Sequence, residues 1–392
     1  MDMAFAEYFA QHWATIIFYA LVIISLIIFR KKFDWQGRVI ALRRTKFGIK
    51  WMQKVADKHP ERLKLFGYSF IGVGFMGMIF IFGYVFYSIY QLFFVPAAPA
   101  SFSVVLPGVH VPGAAIFIPL WVLIPLFIVV MIHEGGHGLI AKAHKVPIKN
   151  TGIVFFGPLA GAFVEPDEKK LEKKSDVVKY SVFAAGPGAN FLTAGLGILL
   201  LMLVLNPLTG MMVTPTGFSV GDVQEDYPAA MAGVLPGEIF TSINGNDILT
   251  SADLTKSLTC VSPGDELLLS GPNSTRTIIT TEHPMDETKG YLGILGAKTE
   301  FEVKQGIPYW VYQVTNGFTQ FIFWIIMLSV GLGAFNLLPL GPVDGGQMIR
   351  LSLRRIHGEK KGKMYWARIG WLLLILILFL IFTPMVRAFL GV

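Results

Sequence analysis

The sequence predicts an α-helical integral membrane protein with about six transmembrane helices, a short re-entrant β-hairpin and a small inserted β-rich domain. Composition is the first reason: 53% of the 392 residues are hydrophobic and 15% are charged, whereas about a quarter of the residues in soluble domains are charged. The second is that about six apolar segments approach or exceed the roughly 20 residues that cross a bilayer. The third is that Lys and Arg are distributed unevenly over the loops between these segments.

The predicted spans are residues 13–29, 67–95, 114–141, 179–206, 311–338 and 366–389. The loop over 30–65 carries twelve Lys and Arg, whereas the loop over 96–113 carries none. Because basic loops stay in the cytoplasm, the predicted cytoplasmic loops are 30–65, 142–178 and 339–365. The N-terminus, the 96–113 loop, a 207–310 insert and the C-terminus are then expected outside, and the predicted spans satisfy this arrangement without conflict.

The basic residues lie next to apolar runs, which favours membrane orientation over nucleic-acid binding as the reason for the net charge of +7. In the 30–65 loop apolar and basic residues are interleaved, so this stretch is either an interfacial helix on anionic lipid or a solvated basic loop. Basic residues follow the first apolar run rather than precede it, which predicts a retained span and not a cleaved signal peptide. The single cysteine, Cys260, permits no intrachain disulfide and is expected to be a small core residue.

Residues 215–300 differ from the rest of the chain. Hydrophobicity falls there, and Gly, Pro, Asp and Ser become more frequent. Short apolar runs such as "GFSVGDV", "EIFTSING", "DELLLS" and "RTIITT" alternate with turn signals. This pattern predicts a small β-rich domain inserted between the fourth and fifth spans.

The third predicted span contains the sequence HEGGH, formed by His133, Glu134 and His137 with two glycines between them. Residues four apart lie on one face of a helix, so both imidazoles can reach one ion, usually Zn²⁺. Glu134 could then take a proton from water at the metal. The alternative is a pair of hydrogen-bonded histidines at a helix interface. However, ionisable clusters are costly inside a membrane, which favours a functional site.

A catalytic zinc ion takes three protein ligands, so a third ligand is needed. His144 lies on roughly the same helix face but within the Lys-rich exit "AKAHKVPIK", and we interpret it as a solvated loop residue. Asp344 in "GAFNLLPLGPVDGGQM" is the better candidate, since the surrounding Pro and Gly residues interrupt the helix where a ligand could be presented. The predicted topology places HEGGH and Asp344 near the cytoplasmic ends of their spans. The alternative role for Asp344 is the N-cap of the following helix.

HEGGH in one span, followed much later by "NLLPLGPVDGGQ", resembles the site-2 protease family of intramembrane zinc metalloproteases. The resemblance implies that His133, His137 and Asp344 bind one zinc ion per chain, that Glu134 is the general base, and that Asn336 is the family's Asn before Asp-Gly. "AAGPGANFLTA" matches the family's Gly-Pro-x-x-Asn stretch through Gly186, Pro187 and Asn190. The match covers roughly 114–348, with the insert treated separately.

The two asparagines and two further segments also have candidate roles. Asn336 could stabilise the oxyanion or hold substrate backbone, or form an interhelical hydrogen bond; Asn190 is expected to support packing near the site. Residues 149–168 correspond to the family's re-entrant β-loop, whose edge could pair with substrate. "YPAAMAGVLPGEIFTSINGNDI" at 227–248 resembles a PDZ domain, although "GFSVG" at 217–221 matches the expected carboxylate-binding loop poorly. The insert could therefore bind peptide or act as a steric gate.

The predicted organisation is a two-span region with a basic cytoplasmic loop (1–113), the first part of the catalytic membrane core (114–206), an extracytoplasmic PDZ-like domain (207–306), the second part of the core (307–348), and a basic cytoplasmic loop with the last span (349–392). The resemblance implies a cell-membrane zinc endopeptidase that performs regulated intramembrane proteolysis. Its partners would be transmembrane protein substrates and the lipid bilayer, with no nucleic acid. A transporter would predict inverted repeats, which the sequence does not show. A catalytically silent adaptor that binds clients through the insert is the remaining alternative.

Overall fold

The computed structural model describes the backbone of residues 2–37, 39–95, 102, 106–109, 117–284 and 286–390, and the side chains of those that lie within 12–383. The chain forms two compact units. The membrane unit comprises Met1–Leu200 and Gln320–Val392, and the insert unit comprises Leu201–Thr319.

The structure is mostly helical. Its α-helices are α1 Asp2–Ile28, α2 Ile49–Lys58, α3 Pro60–Phe94, α4 Leu123–Ala143, α5 Glu168–Glu172, α6 Asp176–Leu200, α7 Asn206–Met212, α8 Pro228–Met231, α9 Ser251–Leu258, α10 Tyr309–Asn336 and α11 Asp344–Leu390. Short 3₁₀ turns cover Arg30–Lys32 and Leu120–Val122, and a π-helical turn covers Leu201–Leu205.

Among the described residues, 5 helical segments are long and apolar enough to cross a membrane: Pro60–Phe94, Leu120–Ala143, Asp176–Met212, Tyr309–Asn336 and Asp344–Thr383. The chain is therefore a multi-pass membrane protein. The first predicted span falls on α1, whose apolar part His12–Ile28 is shorter, so the sixth span stays a prediction. Most of the predicted 96–113 loop and the first residues of the 114–141 span lie outside the described residues.

The predicted β-hairpin is present as β3 Ile148–Phe156 and β4 Leu159–Pro166, which pair antiparallel. Sequence reasoning missed that the chain after α1 adds two strands, β1 Asp34–Gln36 and β2 Ile40–Thr45, to this hairpin. The strand order is β1-β2-β3-β4, so β4 is an edge strand. Among the described residues of 30–65, the α-helical part comprises α2 and the start of α3, and this part could lie at an interface.

The basic segment around 350–365, expected to be a loop, is helical instead. Helix α11 is interrupted at Gly358, whose backbone angles of φ 78° and ψ 169° reverse the chain. This left-handed φ favours glycine. The Trp366 indole donates a hydrogen bond of 2.8 Å to the Gly346 carbonyl, so the two halves of α11 pack side by side near Asp344.

The insert unit is β-rich, as its composition predicts. Its strands are β5 Val213–Ser219, β6 Asp222–Val223, β7 Ile239–Phe240, β8 Ser242–Ile243, β9 Asn246–Asp247, β10 Glu266–Ser270, β11 Thr275–Ile279, β12 Thr281–His283, β13 Asp286–Tyr291, β14 Ile294–Leu295 and β15 Lys298–Val303. They form sheets of order β15-β5-β7, β11-β10-β8-β9, β12-β13 and β14-β6.

The core of the insert unit is apolar and fully enclosed. Phe218, Phe240 and Leu269 are each 0% exposed, which is the arrangement expected of a small water-soluble fold. The prediction that Cys260 is a core residue is wrong, because it follows α9 in a turn and its side chain is exposed.

Candidate metal centre

Helix α4 presents His133 and His137 on one face, as the spacing predicts. Their Nε2 atoms lie 3.2 Å apart. Asp344 is the first residue of α11, and its Oδ2 lies 3.1 Å from Nε2 of His133 and 3.3 Å from Nε2 of His137. The structure therefore brings the carboxylate of Asp344, which is remote in sequence, to the two imidazoles of α4, and together the three groups could hold a metal ion.

The dimensions of this triangle suit zinc. Bonds of about 2.0–2.1 Å in a tetrahedral site place ligand atoms about 3.3–3.4 Å apart, close to the three distances observed. Gly186 of α6 supplies the space beside them: a Cβ there would collide with Nε2 of His137 and lie 2.6 Å from Nε2 of His133. In addition, Oδ2 of Asp344 is buried and accepts no hydrogen bond from the described residues. A metal ion would satisfy that oxygen.

The interrupted segment between α10 and α11 places Asp344. Leu337 and Leu338 are buried there, and the chain folds back over the first turn of α11. A Cβ on Gly345 would collide with the Leu337 carbonyl, and one on Gly346 would collide with the Leu340 carbonyl. The glycines after Asp344 are thus required for this close approach of backbone to backbone.

Each imidazole is oriented by a partner on α6. Nδ1 of His137 lies 2.7 Å from the carbonyl oxygen of Val182, so Nδ1–H donates and the lone pair of Nε2 faces Asp344. Nδ1 of His133 lies 3.2 Å from the side-chain amide of Asn190, which is 0% exposed. The amide atom at this distance is Nδ2. A metal ion on Nε2 would require a proton on Nδ1, and a flip of the amide would then let Oδ1, which is otherwise unpaired, accept from Nδ1–H. Such contacts fix the tautomer of metal-binding histidines.

The side chain of Glu134 extends from α4 to the edge of strand β4. Its Oε2 accepts a hydrogen bond of 2.9 Å from the backbone N–H of Val164. Strand β4 therefore holds the Glu134 carboxylate next to His133. The edge of β4 that pairs with no described strand faces α4, the helix that carries both residues.

Comparison with known proteins identifies the fold around this site. Residues 121–377 match the model of Peptidase family M50. The chain belongs to this family. The resemblance to site-2 proteases that the motifs indicate is therefore confirmed.

Several relatives match this M50 chain over part of their length. An uncharacterized protein of Methanocaldococcus jannaschii is 30% identical over 226 residues, covering 57% of this chain and 54% of the relative. The zinc metalloprotease RasP of Oceanobacillus iheyensis is 25% identical over 267 residues, covering 55% and 61%. A putative zinc metalloprotease of Agrobacterium fabrum is 27% identical over 247 residues, covering 49% and 63%. The chain thus spans less than two thirds of the length of these relatives.

Asn336 ends α10 in this M50 chain. Its Nδ2 donates a hydrogen bond of 3.0 Å to the Leu332 carbonyl of the same helix. The structure therefore shows an intrahelical bond rather than the interhelical one considered as the alternative. A role towards substrate stays a prediction.

The interpretation of His144 as a solvated loop residue is wrong. It follows the last residue of α4, is 8% exposed, and its Nε2 lies 3.2 Å from the Ser181 hydroxyl. Burial, together with the positive charges of Lys64 and Lys174, holds the pKa of His144 below its usual value. Because α4 continues to Ala143, His144 is carried against α6 instead of into solvent, and it is not one of the three grouped ligands.

Sequence reasoning missed two contributors to the site, the carbonyl of Val182 and the N–H of Val164. Both are backbone groups, so no residue type marks them. Gly186 did carry a signal, since it begins the Gly-Pro-x-x-Asn match, but that motif does not reveal that the glycine leaves room beside the histidines.

Proposed function

We propose that this M50 chain is an intramembrane zinc endopeptidase that hydrolyses peptide bonds in transmembrane segments of membrane-protein substrates. The observation that carries the proposal is the triangle of His133, His137 and Asp344, with ligand atoms 3.1–3.3 Å apart, set among helices of membrane-crossing length. Family membership and the zinc metalloproteases among the relatives support it.

The metal would be held by Nε2 of both histidines and Oδ2 of Asp344. When bound, zinc polarises the scissile carbonyl and lowers the pKa of adjacent water. The Val182 carbonyl and the Asn190 amide keep the two Nε2 lone pairs directed to the same point. Gly186 keeps that point free of protein atoms.

Glu134 would act as general base and then as general acid. Its carboxylate takes a proton from the attacking water and passes it to the leaving amine. The bond from Val164 N–H anchors Oε2, which limits rotation of the carboxylate beside His133. Asn336 would stabilise the oxyanion or hold substrate backbone.

Substrate would bind in an extended form along β4. A transmembrane helix engages its carbonyls in bonds between residues i and i−4, so it must unwind locally before water can attack. In an antiparallel strand the N–H and C=O of one residue point to the same side and alternate along the chain. Because the N–H of Val164 points towards Glu134, Ala162 and Ala160 present their backbone groups along the same edge. A substrate strand added there would pass next to Glu134.

The site would face the cytoplasm, because the segments rich in Lys and Arg that follow α4 and α10 in sequence are expected to stay inside. The PDZ-like insert would lie outside the cell membrane and would either bind peptide or exclude substrates with large outer domains. If the insert admits only substrates that have lost their outer domains, cleavage by this chain would be regulated intramembrane proteolysis.

The test compares Glu134→Gln with the wild type, using purified full-length protein and single-span membrane proteins as substrates. Cleavage is expected to fall at least 10²–10⁴-fold, the range that general acid–base groups contribute, while zinc content is unchanged. Asp176→Asn is the matched control, because that carboxylate pairs with Lys179 at the start of α6, outside the β4 strand, and its loss should leave cleavage unaffected.

Equal cleavage by Glu134→Gln and the wild type would contradict the proposal. Wild-type protein that retains zinc and captures substrates without cleaving any of them would indicate an adaptor instead. Crosslinking candidate substrates to Glu134→Gln would identify the substrate.

A further inference from the structure

A groove on the outside of the membrane unit is not used by the proposed mechanism. It lies between helices α3, α4 and α6, and its volume is about 510 Å³. Its walls are apolar, with Phe66 and Phe70 from α3, Ile132 and Leu139 from α4, and Leu192 from α6. Trp51 of α2 also lines the groove.

The groove lies behind the metal helix. On α4 it is lined mainly by residues on the side away from the ligands, Ile128, Met131, Ile132, Gly135 and Leu139, and also by Gly136 and Ile140. At 100° per residue, Gly135 lies about 160–200° around the helix from His133 and His137. A segment bound in the groove would therefore be separated from the ligands by α4 itself, which argues against the scissile part of a substrate as its occupant.

Gly135 leaves empty space in the part of the groove that α4 lines. A Cβ at this position would meet no atom within 4 Å. The next glycine is different, because a Cβ on Gly136 would lie 2.6 Å from the Ala185 carbonyl of α6. One glycine thus permits helix packing, whereas the other leaves space that a flexible hydrocarbon chain would fill.

A positive helix face adjoins the groove. Lys50, Lys54 and Lys58 recur every four residues on α2 and are exposed, next to Trp51, which is 59% exposed. The opposite side of α2 buries Met52 and Ala56. No ion pair among the described residues involves these three lysines.

The acids on and near this face offset only part of its charge, because α2 carries three lysines and one acid. Asp57 is the acid on α2, and it accepts a hydrogen bond of 2.7 Å from Gln53. Glu61, at the start of α3, pairs with Lys64 at 2.7 Å. Lysine stems lie along apolar surface while their ammonium groups reach the lipid headgroups, and tryptophan favours the same depth.

We propose that the groove binds an acyl chain of an anionic phospholipid whose headgroup is held by Lys50 and Lys54. The charge of the α2 face and the apolar walls match the two parts of this one molecule. Trp51 lies where the two parts join. The lipid supports α4 from the side opposite the metal ligands.

The experiment uses full-length protein in nanodiscs that contain phosphatidylglycerol or phosphatidylcholine with brominated acyl chains. Bromine quenches tryptophan fluorescence at short range, and Trp51→Phe isolates the contribution of Trp51. Brominated phosphatidylglycerol is expected to quench Trp51 at a lower mole fraction than brominated phosphatidylcholine. Each lysine at an anionic surface contributes roughly fivefold in affinity, so Lys50→Gln with Lys54→Gln should reduce the preference at least tenfold.

Two comparisons separate a lipid site from general surface attraction. The pair Lys360→Gln and Lys361→Gln removes the same charge from the turn after Gly358 and should leave the preference unchanged. Thr193→Phe, or Leu192→Phe if the former does not fold, narrows the groove and should reduce quenching by both lipids while the lysines remain.

The proposal is overturned if both lipids quench Trp51 equally, if the distant lysine pair matters as much, or if quenching survives a narrowed groove. Displacement of the brominated lipid by a transmembrane substrate peptide would assign the groove to substrate and would also overturn it. The readout is binding, so it does not depend on proteolysis.

Discussion

The membrane unit and the insert unit both bury apolar side chains, but they differ in what they expose and in how many polar side chains they bury. In the membrane unit Ile79 and Phe80 are 74% and 73% exposed, while His133 and Asn190 are buried. In the insert unit Phe218 and Phe240 are enclosed, and of the buried polar residues that the structure describes only Ser219 and Thr280 belong to it. Lipid chains are as apolar as a leucine side chain, so helices in a membrane associate through close packing and polar contacts rather than through the hydrophobic effect.

Each unit is therefore vulnerable to a different kind of substitution. Removing apolar volume should damage the insert, whereas removing a buried polar contact should damage the membrane unit.

Asp344→Ala should abolish retention of zinc, because α11 then contributes no ligand. The loss of affinity should exceed the 10–100-fold that outer partners of metal ligands contribute. Metal content after dialysis against a chelator measures it. Asp176→Ala is the control, since that acid pairs with Lys179 at the start of α6. Zinc retained by Asp344→Ala would remove the basis of the metal centre.

Phe240→Ala should destabilise the insert by about 3–5 kcal/mol and leave zinc binding unchanged. Hydrogen exchange of amides in residues 201–319 measures the first effect, and metal content measures the second. Phe80→Ala removes the same side chain from a lipid-exposed position and should change exchange in neither unit. The contrast between the units breaks down if Phe80→Ala is the more harmful substitution.

Asn190→Ala should lower zinc affinity about 10–100-fold, because His133 loses the partner that orients it. Competition with a chelator of known affinity gives the value. Asn190→Asp, which retains an oxygen acceptor for Nδ1–H, should recover most of it. If Asn190→Ala and Asn190→Asp behave alike, the side chain supports packing and does not orient the imidazole.

Acidification should produce the smallest effect, through His144. Its folded-state pKa is lowered, so around pH 6 the unfolded chain binds more protons than the folded one and stability falls as the pH drops below about 6.5. The midpoint of thermal unfolding at pH 5.5 should be lower than at pH 7.5, by at most a few degrees. His144→Gln should reduce this difference, and an unchanged pH dependence would show that other groups cause it.

Local patterns predicted much of the fold and the candidate site. Apolar length placed five membrane-crossing helices, and the spacing of His133 and His137 placed both on one face of α4. The break around Pro339 indicated where Asp344 would be presented, since the chain can carry a polar group at membrane depth only where it is enclosed.

Other features depend on contacts that no local pattern encodes. Strand β2 pairs with β3, which lies far away in sequence: Arg43 pairs with Ile153, for example. The reversal at Gly358 lies in a run of good helix formers, so propensity does not reveal it. His144 was misjudged because its neighbours in sequence are lysines, while its neighbours in space are Ser181 and Tyr68.

The room beside the two imidazoles exists because position 186 has no methyl group. A Gly186→Ala chain would keep every ligand, the carboxylate of Glu134 and the β4 edge, yet one carbon atom would compete with the ion for the same volume. Such a chain would be an inert counterpart with unaltered donor chemistry. It would separate what the metal contributes to substrate capture from what the surrounding surfaces contribute, a distinction that chelators cannot make because they also strip metal from everything else in a membrane.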